Sequence, residues 1–212
     1  MLGWRRAGTG PLVLIAVLIE EATVSIDLPE VHAAALKTTR GLVAGVRGDQ
    51  WSDPTPCEDW DVRTLVNHIV SGNLWAAELG AGKTIEEVGD RLDGDVLDQY
   101  PTGAYDISAE LAAAVFRRPG AMEAPCAVSY GPVPGEIYCG HRVIDVVIHG
   151  WDVAKGTGQD TKIPDDLVEA CFAIVEPQMD LLVASGMFST DVTAPDGSDR
   201  QTQLLAMLGR RP

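Results

Sequence analysis

Apolar residues recur at helical spacing through most of this chain. Val31, Ala35, Leu42 and Val46 keep that spacing and, with Pro29 in the first turn, predict a helix over residues 28–46. Asp61 is a residue type suited to an N-cap, and Val62, Leu65, Val66, Ile69, Val70 and Leu74 form one apolar side of a second helix that runs to residue 80. Further helices are expected over 85–92, 107–117, 141–155 and 165–185, the last kinked at Pro177, with a short one over 201–208. Residues 51–59, with Pro54 and Pro56, read as a loop. The Gly- and Pro-rich stretch 119–140 reads as irregular, with extended pieces at 127–130 and 136–138, and is the expected wall of a pocket. Periodic helices dominate and strand signals are few. The expected fold class is therefore all-α: a four-helix bundle with an extra C-terminal helix and short irregular or extended insertions.

Composition narrows the partners. The chain has 212 residues, 46% of them hydrophobic and 22% charged, enough for one well-filled core and without a repeat. With 31 acidic against 16 basic residues its formal net charge is −15, which repels phosphate backbones and anionic lipid headgroups; neither nucleic acid nor a membrane is expected as a partner. Cys57, Cys126, Cys139 and Cys171 form no CxxC pair, so they read as reduced, mostly buried thiols of a cytoplasmic protein. Arg5 and Arg6 precede an apolar run over 11–19 that resembles a signal peptide, but Glu20 and Glu21 follow where a small-residue cleavage site belongs. Residues 1–26 are read as an extension outside the domain, which is expected over 27–212. For oligomeric state the sole ground is the general frequency of symmetric homodimers.

The candidate chemistry lies on two helices. His68 falls within about 60° of Leu65 on the inward face of its helix, beside Gly72, whose missing side chain leaves space. On the helix over 141–155, His141, Asp145, His149 and Asp152 form one polar stripe, while Val143, Ile144, Val146, Val147, Ile148 and Val153 make the rest apolar. A helix that is apolar nearly all round is a buried one, and buried carboxylates and imidazoles need partners or a metal ion. Asp145 and His149, four apart, offer two ligands from one face, and His68 supplies a third from a facing helix; three protein ligands and an open position is the pattern of a reactive zinc site. A metal-free Asp–His pair and a core histidine bonded to backbone fit the same residues. Asp152 is placed to hold a ligand histidine from behind. His141, at the helix start, is assigned to the same outer layer on the substrate side, with a fourth-ligand role as the alternative. His32 has no supporting pattern and is placed on the surface. The segment Gly80-Ala81-Gly82-Lys83-Thr84 looks like the end of a P-loop, but it follows a helix and has Ala77 where the first glycine belongs.

Two blocks carry a family resemblance. The run from Trp51 to His68, with Pro54, Cys57, Trp60 and Asp61, and the run from Asp145 to Gly158, with His149, Trp151 and Asp152, resemble the mycothiol-dependent maleylpyruvate isomerase metal-binding domain of the DinB/YfiT-like superfamily. The resemblance covers roughly residues 28–208. It implies a DinB-like four-helix bundle with a divalent metal, usually zinc, near one end, held here by His68, Asp145 and His149. It also implies a low-molecular-weight thiol such as mycothiol as cosubstrate, an electrophilic small molecule as substrate, and isomerase or S-transferase chemistry. The chain departs from the isomerase in having Asp145 in place of a glutamate, and in ending without the isomerase's additional C-terminal domain, which sets isomerisation of maleylpyruvate itself apart from the expected activity. A non-catalytic metal-binding sensor or interaction module is the competing expectation.

Overall fold

A computed structural model describes residues 26–178 and 192–211. Helix α1 (Leu28–Ala44) starts where the Asp27 carboxylate accepts from the Glu30 backbone N–H. Helix α2 (Val62–Gly80) starts in the same way, with Asp61 accepting from Thr64 N–H at 2.8 Å. Both caps satisfy N–H groups that the first turn leaves without partners. Helix α3 (Ile85–Val88) is a single turn, shorter than expected. A Thr84–Glu87 capping box opens it and Gly89, at φ 62°, ends it. The P-loop look-alike is thus the junction of α2 and α3.

Helix α4 (Pro101–Phe116) begins six residues before the expected start, with Pro101 in its first turn. A short antiparallel hairpin follows, β1 (Pro125–Val128) and β2 (Gly131–Pro134), in which Cys126 faces Val133. Residues 136–138 are not extended. They belong to helix α5 (Gly135–Thr157), which starts six residues before His141. The reason is tertiary: Gly135 N–H and Glu136 N–H donate to the carbonyls of Ala124 and Met122, each at 2.8 Å. A side chain at 135 would collide with the Ala121 carbonyl oxygen, so the helix start needs a glycine there. Helix α6 (Asp165–Val175) gives way to a 3₁₀ turn (Glu176–Gln178) that contains Pro177, and the rest of the helix expected to residue 185 lies outside the described residues. Helix α7 (Arg200–Met207) is capped by Asp199.

Helices α1, α2, α4 and α5 form the bundle. α2 packs on α4, α1 packs on α5, and α1–α4 and α2–α5 contacts close the ring. α6 packs on α5 and on α7. Sixteen of the 23 residues of α5 are buried, so it is the central strut of the molecule. Its closest neighbour is α1: Thr39 Oγ1 donates to the Val146 carbonyl at 3.0 Å, and a Cβ at Gly150 would lie 2.5 Å from that same hydroxyl. His32 is a correction to the sequence reading. It is fully buried, edge-on to Phe116 at 5.2 Å between ring centroids. No helix among the described residues is long and apolar enough to cross a membrane.

Candidate metal centre

The α2–α5 contact brings His68, Asp145 and His149 together, with one ligand atom from each within 4.8 Å of the others. The Asp145 Oδ1 atom is the meeting point, 3.1 Å from His68 Nε2 and 3.5 Å from His149 Nε2. Each flank of this group is held. Arg142, one turn back on α5, donates from Nη1 to Asp145 Oδ2 at 2.9 Å and from Nη2 to Asn73 Oδ1 at 3.2 Å. Its guanidinium fills the space above Gly72, where any side chain would collide with it. The gap beside His68 that the glycine implies is therefore occupied by an arginine that orients Asp145.

Behind His149, its Nδ1 lies 3.1 Å from Asp152 Oδ2. Asp152 is fully buried and also accepts from Arg210 (Nη2, 2.7 Å) and from the Cys57 thiol (3.2 Å). The Trp60 ring closes one side, 4.9 Å from the His68 ring and 6.0 Å from that of His149.

The charges are arranged to keep the carboxylates ionised. Burial pushes the Asp145 carboxyl up, but Arg142, then His149 and His68, hold it well below the usual carboxylate range. Asp152 is likewise lowered against burial, by its bonds to His149 and Arg210. Burial, then Asp152, raise the Cys57 thiol to about 12, so it stays protonated as a donor. Burial raises Cys139 and Cys171 to about 12 as well, and all four cysteines are free thiols.

This arrangement fits a cation. A neutral imidazole carries one N–H. If His149 donates its Nδ1–H to Asp152, its Nε2 lone pair faces the Asp145 oxygen, acceptor against acceptor, unless a cation stands between them. Tetrahedral bonds of zinc length separate neighbouring ligand atoms by about 3.3 Å, and the two edges at Asp145 Oδ1 are 3.1 and 3.5 Å. Cys57, His149 and Asp152 form a second cluster of ligand type, but the Arg210 guanidinium already supplies its positive charge.

His141 stands apart from the triad. Its ring nitrogens meet Tyr130 Oη at 2.7 Å and Gln178 Oε1 at 3.0 Å, so among the described residues it holds no ligand histidine. It lines a cavity of about 350 Å³ that opens onto His68, Asp145 and His149. Tyr130 and Tyr138, from the stretch expected to wall a pocket, line it too.

Residues 32–154 match the family described as the mycothiol maleylpyruvate isomerase N-terminal domain. This chain belongs to that family. The chain is also similar to uncharacterized proteins Rv0738 and MT0763 of Mycobacterium tuberculosis, from strains H37Rv and CDC 1551. Each is 34% identical over 183 residues, covering 84% of this chain and 95% of the relative. No solved structure gives a significant match. The matched span takes in all but the first turn of α1 through to all but the last turn of α5, and so all three residues of the triad. Arg210 lies beyond it. Sequence reasoning gave no individual site role to Arg142, Trp60, Cys57, Arg210, Tyr130 or Gln178, although Cys57 and Trp60 lay in the first family block and Tyr130 in the expected pocket wall. Arg142 had a local signal in its i, i+3 relation to Asp145.

Proposed function

We propose that this protein binds one divalent metal ion, zinc being the best fit, through His68, Asp145 and His149. In this reading it works as a low-molecular-weight-thiol-dependent metalloenzyme of isomerase or S-transferase type. The observation that carries the reading is the convergence of His68 Nε2 and His149 Nε2 on Asp145 Oδ1, with the far side of Asp145 held by Arg142 and that of His149 by Asp152. Ligands fixed from behind in this way are pre-set for an ion. A bound divalent ion would supply Lewis acidity, favouring the thiolate of a thiol at its open position.

The chain's own part is to bind and to orient. Arg142 and Asp152 fix the ligand side chains, Trp60 shields one side from water, and the adjoining cavity holds the thiol and its electrophilic partner side by side. Family membership supports a thiol of the mycothiol class. His141, with both nitrogens engaged elsewhere, does not close the site as a fourth ligand, which favours catalysis over a sealed structural ion. Four free thiols support a reducing, cytoplasmic setting.

Metal content measured by mass spectrometry, wild type beside His149→Ala, is the test. About one zinc per chain, lost in the variant, is the expected result. A wild type that stays metal-free after reconstitution overturns the reading.

A further inference from the structure

The cavity next to the triad has a second pole of different chemistry. His141 lies one helical turn before Asp145 and two before His149, so the pole is roughly 6 to 12 Å from the triad along the axis of α5. Between the two ends the walls are apolar: Ile144 and Ile148 from α5, Ile174 and Val175 from α6.

Hydrogen bonding at this pole has a fixed direction. Gln178 Nε2 donates to the Ile174 carbonyl at 3.0 Å, so the amide oxygen is the atom that faces His141. An amide oxygen only accepts, which puts the imidazole proton on His141 Nε2. In the neutral ring Nδ1 is then bare and accepts the Tyr130 hydroxyl proton across 2.7 Å. Tyr130 sits in the turn between β1 and β2, half-exposed at the cavity edge. Its proton is committed to His141, so its oxygen offers the cavity lone pairs alone.

The cationic side chains of the wall are committed too. Arg142 is bonded to Asp145 and Asn73, and its Nε, which has no partner among the described residues, is inaccessible to solvent. Arg210 is bonded to Asp152. No other lysine or arginine among the described residues lines the cavity.

We propose that this cavity takes an uncharged, apolar-bodied molecule whose far end donates a hydrogen bond, from a hydroxyl or an amide N–H, to the Tyr130 oxygen, and that it rejects a carboxylate there. The proposal deepens the reading of the site as an enzyme centre and rests on it only for what binds at the triad end. A carboxylate at the pole would face lone pairs, or would take the Tyr130 proton and leave His141 Nδ1 without its donor. At this half-exposed pole the lost hydrogen bond weighs against the carboxylate, and no cation on the wall offsets it. A dicarboxylic acid is therefore a poor substrate, and a neutral carbonyl electrophile with a hydroxyl or amide tail a good one.

Two pairs of probes test this near pH 8, above the ordinary imidazole range. The first is 6-mercaptohexan-1-ol against 6-mercaptohexanoate, titrated calorimetrically into zinc-loaded and metal-free protein. The second, thiol-free, is 4-phenylbutan-1-ol against 4-phenylbutanoate, followed by saturation-transfer NMR on both forms. The alcohol is expected to bind at least about tenfold tighter in each pair. Tyr130→Phe, which keeps the ring beside His141 but removes the oxygen, should bring the alcohol down towards the acid. A carboxylate that binds as tightly as its alcohol overturns the proposal, as does failure of all four probes to bind. If zinc adds nothing to thiol affinity while both alcohol preferences survive, the metal reading falls and this one stands.

Discussion

His149 and His32 both point into the bundle, and their surroundings could hardly differ more. Each nitrogen of His149 faces a carboxylate, Asp145 on one side and Asp152 on the other, next to an open cavity. Neither nitrogen of His32 has a hydrogen-bond partner among the described residues, and its neighbour is the ring of Phe116. The first site spends charged groups on holding an imidazole in one orientation. The second uses an imidazole as a space-filling ring and tolerates its unmet polar atoms. Burial, helped by Arg142 and Arg117, lowers the His32 pKa to about 3, so it is packed as a neutral side chain. A histidine inside a helical bundle is thus no sign of chemistry by itself; converging partners are. Arg142 stands between the two regions, steadying Asp145 and making a charge on His32 still less favourable.

The largest effect is expected where that arginine loses its partner. Asp145→Ala leaves the nearly buried Arg142 guanidinium without a carboxylate, a loss of about 3–5 kcal/mol in urea unfolding. A loss under about 1 kcal/mol would mean that Arg142 does not depend on Asp145. His32 should show itself through acid instead. Its folded pKa lies below its unfolded one, so the unfolded chain takes up the proton first. Its burial costs nothing extra above about pH 6.5, and stability drops by up to a few kcal/mol as pH falls from there towards 3. Asp145 and Asp152 have lowered pKa values, and their contribution is lost only below the ordinary carboxylate range near 3.8. His32→Leu should therefore flatten the slope of thermal stability between pH 6.5 and 5, above the range in which the lowered carboxylates begin to lose their contribution. An unchanged slope would show that His32 finds a partner in solution. The smallest effect belongs to the layer behind the ligands. Asp152→Asn should weaken zinc by about 10–100-fold in a chelator competition and leave His68 and Asp145 in place. Unaltered affinity would make Asp152 a partner of Arg210 alone.

How far the sequence could be read depended on whether the deciding contact was local. Helices α1 and α2 were legible because their apolar stripes lie within the segments themselves, as do Pro29 in the first turn of α1 and the Asp61 cap of α2; the Asp27 cap of α1 was not read from the sequence. The first turns of α4 and α5 were not. Pro101 and the Pro134-Gly135 step look like helix breakers, and the start of α5 is set by carbonyls of 122 and 124 that only the folded chain brings near. The meeting of Asp145, His149 and His68 was legible because each lies on an inward helix face. Arg210 was not, being 58 residues from Asp152 with no periodicity to connect them. His32 was misplaced although a signal existed. His32, Ala35, Leu36, Thr39 and Val43 keep helical spacing and are all buried, and treating imidazole as surface-seeking hid the stripe.

The bond between His68 and Asp145 joins residues 77 apart, and Thr39 reaches Val146 across 107. Contacts of such range form only after long loops have been closed, at an entropic cost that local helix formation does not offset. The triad is complete only once α2 and α5 have docked against each other. A cation that needs all three ligands would recognise finished molecules alone, and would slow their unfolding more than it speeds their folding.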